Sequence, residues 1–147
     1  MSKAIPWIRP PSDGARTGRP AQERPTVKYM LLIYNDPQFI EDLPQDEKDE
    51  LFGTVDRVMA ELTESGELVG GEALAWATEA KTVRVRDGVV ATTDGPFAES
   101  KEQFAGYLAV DVETEERAVE IAAMWPDAQW FAMEVRAFMD AGAGEEM

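Results

Sequence analysis

Cysteine and histidine are both absent from this 147-residue chain. The first absence excludes disulfides, thiol nucleophiles and thiolate metal sites. The second removes the commonest general base, the Ser-His and Cys-His pairs, and the imidazole that nearly every zinc or non-haem iron site requires. Any catalysis would therefore rest on carboxylates, Lys, Tyr or Arg, and no cofactor or metal is called for. Long apolar runs are lacking too: none approaches the roughly 18 residues of a membrane span, and no apolar segment of the signal-peptide kind follows the N-terminal arginines. A soluble, cytoplasmic protein without a membrane partner is expected. Positive charge is scarce, with 14 Lys and Arg against 29 Asp and Glu and a net charge of -15. That field repels phosphate backbones and argues against direct nucleic-acid binding, leaving small molecules and protein partners.

What is present reads as one globular domain with tails. Hydrophobic residues make up 44% of the chain, enough for a core, and the length suits one domain rather than two. Residues 1–26 carry Lys3, Arg9, Arg16, Arg19 and Arg24 against Asp13 and Glu23, with Pro-rich text and no periodicity. They read as a flexible basic tail, either unstructured or an arm for a partner. Counting Lys28 with that tail, Tyr29 onward holds 8 basic and 27 acidic residues, a net of -19. The domain is expected over residues 27–139, with a second flexible tail at 140–147.

Within the domain, KYMLLIYN is a strand with apolar residues in both alternating sets, so both of its faces should be covered and its place is central. Pro44 and an acidic first turn open a helix in which Leu51, Val55, Val58, Met59 and Leu62 recur at helical spacing, and Gly66 ends it. Glu67 to Gly71 is a short strand, followed by an irregular stretch with Glu72 and Trp76, which edge a pocket or, for Trp76, fill the core. TVRVRDGVVATT is a hairpin around Asp87 and Gly88, because that pair tolerates the positive φ of a type I′ turn. Its register puts Val83, Val85, Val90 and Thr92 on one face and Arg84, Arg86, Val89 and Ala91 on the other. FAGYLAV is a strand, Thr114 to Met124 a helix, and WFAMEVRAF a last strand. The order is that of an α+β, ferredoxin-like split β-α-β sandwich with an inserted hairpin. Two helices cover one sheet face, and a second subunit packed sheet to sheet would cover the other, so a homodimer is expected.

Two groups of residues could carry chemistry. The segment Asp94, Gly95, Pro96, Phe97 makes a stiff bend, since Gly95 precedes a proline and Pro96 fixes φ and lacks an N-H. Asp94 can accept local N-H bonds there, and Phe97 can pin the loop to the core. A structural turn accounts for these residues, and so does a loop that presents Asp94, Glu99, Lys101 and Glu102 to a ligand. Arg84 and Arg86 suit a carboxylate ligand, or alternatively a surface or subunit ion pair. The acidic run Glu41 to Glu50 has neither EF-hand spacing nor a loop glycine, so helix-end solvation explains it better than calcium.

The words KYMLLIY, LVGGEAL, TVRVRDG, TDGPFAESKEQ, GY and MEVRAF, in this order and spacing, resemble the DGPF-motif branch of the YCII-related family over about residues 27 to 139. The resemblance implies a fold of the dimeric α/β-barrel group and a biochemical function that is mostly unassigned. It implies a regulatory setting as well, since such genes are often neighbours of extracytoplasmic-function sigma factors, which makes a sigma factor an expected partner. Relatives with a proposed enzymatic site use a His and Asp pair, which a chain without His cannot supply. Asp94 matches the motif aspartate, and Glu99, Lys101 and Glu102 match the charged residues after it. Relatives usually begin with Met near VKYMLLIY, so Val27 is expected to correspond to a start. The expected function is binding of a small molecule near the DGPF loop, with acid-base chemistry left open, and the alternative is a non-enzymatic regulatory module.

Overall fold

The computed structural model describes residues 25–139; the tail expected at 1–26, apart from its last two residues, and the tail expected at 140–147 lie outside the described residues. Strand β1 (Val27–Asn35) is followed by a short helix α1 (Pro37–Glu41) and the long helix α2 (Gln45–Ser65). Strand β2 (Leu68–Ala73) leads through a single 3-10 turn at Ala77–Glu79 into the hairpin β3 (Lys81–Arg86) and β4 (Val89–Asp94). The chain closes with β5 (Gln103–Val112), α3 (Glu115–Met124), the short α4 (Asp127–Trp130) and β6 (Ala132–Ala137).

Strands β2, β5, β1 and β6 form, in that order, one antiparallel sheet, and β3 and β4 form a separate two-stranded sheet. This is the α+β, ferredoxin-like frame expected from the sequence, with β1 in the interior of the sheet as its two apolar sets required. The hairpin is inserted between β2 and β5 without joining the larger sheet.

The register sorts every side chain of the main sheet onto one of two faces. On the inner face Leu31 lies opposite Leu108 and Val135, Tyr29 opposite Val110, and Ile33 opposite Met133. Helix α2 covers this face with Leu51, Val55, Val58 and Leu62, all buried, and α3 does so with Ala118, Ile121 and Ala122. The four α2 residues recur over three turns, and burying them contributes roughly 6–12 kcal/mol before chain entropy is subtracted. The ends of α2 are as its sequence dictates. Asp46 and Glu47 complement its N-terminus, and Gly66 terminates it at φ 81 with its N-H returned to the carbonyls of Leu62 and Thr63. In α3 the Thr114 hydroxyl caps the Arg117 N-H.

Two local differences from the sequence reading have identifiable causes. Helix α1 is additional to the expected elements and starts on Asp36, whose carboxylate accepts from the Gln38 N-H at 3.0 Å, with Pro37 in the first turn. The last strand is shorter than WFAMEVRAF, because the chain turns helical at Pro126 and remains so through Trp130. Trp130 and Phe131 instead pack around Phe39 of α1, with centroids 5.6 and 5.3 Å away.

No helix among the described residues is long and apolar enough to cross a membrane.

Candidate functional site

The hairpin and the loop after it form one arm. Its register pairs Lys81 with Asp94, Val83 with Thr92, Arg84 with Ala91 and Arg86 with Val89, around a turn in which Asp87 has φ 52 and Gly88 φ 79. The expected two-residue turn and the expected sharing of faces are both present. Gly95 follows with φ 98, a backbone state that L side chains resist. The bend is tied back to the start of β3: the Gly95 N-H donates to the Ala80 carbonyl at 2.7 Å, and the Thr82 hydroxyl donates to the Gly95 carbonyl at 2.8 Å.

The arm separates the residues singled out from sequence. Asp94 forms an ion pair with Lys81, and its side chain is 84% exposed. Both belong to the face that carries Val83, Val85 and Val90. Arg84 and Arg86 emerge from the other face. Arg84 places its guanidinium 5.8 Å from the centroid of Phe97, and Arg86 bonds the Val85 carbonyl near the hairpin tip. Phe97 is 81% exposed, so it is held by Arg84 and does not pin the loop to the core. Glu99, Lys101 and Glu102 are exposed on the continuing loop, with no ion pair or hydrogen bond to another described residue. The partner of Asp94 was missed in the sequence although the hairpin register itself places Lys81 opposite.

The arm exposes an unusual amount of apolar surface. Val83, Val85, Val89 and Val90 are all more than half exposed, whereas a two-stranded ribbon in water ordinarily needs a layer to pack against. It is also the basic part of an acidic domain, since Lys81, Arg84, Arg86 and Lys101 are four of the eight basic residues after Lys28.

The outer face of the main sheet is open. One row crosses all four strands as Glu72, Tyr107, Leu32 and Glu134, and the next as Gly70, Ala109, Met30 and Arg136. Met30, Leu32, Tyr34 and Tyr107 are only half buried, and Phe104 is exposed while packing its ring 5.8 Å from that of Tyr34. The Tyr34 hydroxyl donates to Glu134 at 3.1 Å. Burial first, and that carboxylate second, raise its pKa above the ordinary phenol value.

A further polar pair lies under α4, where Asn35 and Asp127 are both buried and the Asn35 amide donates to the Asp127 carboxylate at 2.7 Å. Burial pushes the Asp127 carboxyl up from its ordinary value, opposed by the Asn35 bond and by a backbone N-H. This is the surrounding of a proton-holding carboxyl. The signal available in the sequence was slight: a polar Asn35 continuing the buried set of Tyr29, Leu31 and Ile33.

A split β-α-β sheet with helices on one face, an open aromatic second face and an inserted hairpin arm defines a small α+β protein of the ferredoxin-like class. Residues 27–140 match the YCII-related domain, and the chain belongs to that family. It is similar to an uncharacterized protein of Rhizobium meliloti (strain 1021), 31% identical over 94 residues that cover 64% of this chain and 76% of the relative.

Proposed function

We propose that the protein is a homodimer that binds a small carboxylate beside the DGPF loop. The observation that carries this reading is the Arg84 guanidinium held over the exposed Phe97 ring. A guanidinium fixed in its plane by an aromatic face keeps its edge free for bidentate bonds to a carboxylate. Arg86 shares that face and adds a second cation, while Lys101 lies on the loop that leaves it. Asp94 serves the site indirectly: with Lys81 and Gly95 it fixes the bend that presents Phe97, and Glu99 and Glu102 border the loop. The open row through Leu32 and Tyr107, and the exposed valines of the arm, supply the apolar surface that a second copy would cover.

The test is a thermal-shift panel of small mono- and dicarboxylates on the full chain, repeated with Arg84→Gln and Asp94→Asn. A ligand at a hundred times its Kd stabilises by about 2.7 kcal/mol, a readily measured shift. The reading predicts a carboxylate that raises the melting temperature of the wild type and fails to do so with Arg84→Gln. A panel without a stabilising acid, or a shift indifferent to Arg84, would contradict it. The net charge of -19 beyond Lys28 favours a second reading, an acidic regulatory surface for a basic partner such as a sigma factor, for which co-purification from the native source is the check.

A further inference from the structure

A cleft of about 690 Å3 opens between the first turns of α2 and the α3–α4 junction, far in character from the basic arm. Both elements reach the end of the sheet at which β1 stops, since α2 begins there and α3 returns to it. The walls are of two kinds. Helix α2 contributes Glu47, Glu50 and the largely buried Leu51 to one side, and the α3–α4 junction contributes an apolar and aromatic side of Met124, Trp125 and Trp130. Trp125 is buried by the core, whereas Trp130 is 38% exposed and is backed by Phe39, so Trp130 has surface to give an occupant.

Glu47 and Glu50 stand three residues apart on one helix and therefore on one face, where like charges repel. Neither has an ion-pair partner among the described residues, Lys48 included. The N-terminal dipole of α2 offsets about half a unit of that charge, which leaves the cleft mouth negative. A volume of this size suits a small organic molecule. A hard metal ion would require oxygen ligands converging from several sides, and here the opposite wall is aromatic. An alkylated ammonium satisfies both walls, because its charge is attracted by carboxylates and by the face of an indole, and its carbon body displaces water from the apolar side.

We infer that this cleft binds an organic monocation with an apolar body, its ammonium head between Glu47, Glu50 and the Trp130 ring. The site is independent of the arm, and its ligand has the opposite sign.

Calorimetric titration of the full chain with benzyltrimethylammonium tests the inference, with benzyl alcohol as the uncharged comparison. Saturable binding is expected for the cation and about tenfold weaker binding for the alcohol, the effect of roughly one favourable charge interaction near a protein surface. Glu47→Gln combined with Glu50→Gln should weaken the cation by about tenfold and leave the alcohol unchanged. Trp130→Leu should weaken the cation by about three- to thirtyfold. Circular dichroism establishes that each variant is folded, and Glu47→Gln alone, at an exposed position, replaces any that is not. No saturable heat with the cation, equal affinity for the alcohol, or undiminished cation binding in the Gln variants would overturn the proposal.

Discussion

Asn35 and Asp127, 92 residues apart in sequence, meet in the interior through a single hydrogen bond of 2.7 Å from the Asn35 amide to the Asp127 carboxylate. The bond joins the last residue of β1 to the first of α4 and so fixes where the chain turns before β6. Its partners are less than 4% exposed, which makes the protonation state of Asp127 a matter of stability.

Because burial raises the Asp127 carboxyl above its ordinary 3.8, the folded chain holds that proton more tightly than the unfolded one. The stability this confers is complete below the ordinary carboxylate value and is lost as pH rises through the raised folded value. Asp127→Asn keeps an acceptor for Asn35 and removes the titration. Urea unfolding from about pH 4 to 7, a span that begins at the unperturbed carboxylate range, should therefore show wild-type stability falling relative to the variant. Parallel profiles would refute this. Asp127→Ala, which strands the buried Asn35 amide, should cost about 1–3 kcal/mol at any pH in that span.

Gly106 and Gly53 should respond oppositely to alanine. A Cβ on Gly106 would meet the Glu72 carbonyl oxygen at 2.6 Å, where β2 and β5 approach, whereas one on Gly53 meets nothing within 4 Å. Gly106→Ala is expected to destabilise by about 1–3 kcal/mol. Gly53→Ala, in the interior of α2, should stabilise by about 0.5–1 kcal/mol. Urea midpoints of the two variants against wild type decide both signs.

Arg117 grips Glu67 with two bonds of 2.9 Å and reaches Glu120 at 3.1 Å, which locks the start of α3 to the segment between α2 and β2. The Glu67 side chain is 14% exposed and that of Arg117 30%, so water screens the pair only partly. These carboxylates hold the guanidinium well above its ordinary pKa. Arg117→Ala should cost about 1–3 kcal/mol because it removes both charge-assisted bonds from the largely buried Glu67 carboxylate. Arg117→Lys should recover only part of this, since an ammonium cannot reproduce the fork. Equal urea midpoints for Arg117→Lys and wild type would show that charge alone suffices.

The sequence disclosed the frame because its local signals agree with the tertiary outcome. Leu51 to Leu62 at helical spacing, Gly66 at a left-handed stop and Asp87 with Gly88 at a type I′ turn each dictate one local conformation, and each is found. The contacts of the arm were less accessible. Phe97 looked like a core residue by composition, but its ring is taken by Arg84, and Asp94 turned to the opposite face with Lys81. The parity of the register settles such matters, and it depends on where the hairpin ends and the bend begins. Asn35 with Asp127 lay beyond local reasoning altogether, because no periodic pattern links two polar residues across 92 positions.

The dimer is the central claim, because it accounts for both the open row through Leu32 and Tyr107 and the exposed valines of the arm. Sedimentation velocity of the full chain at micromolar concentration tests it most directly. A single boundary at twice the chain mass is expected. A folded protein that sediments with the mass of one chain across that range would contradict it.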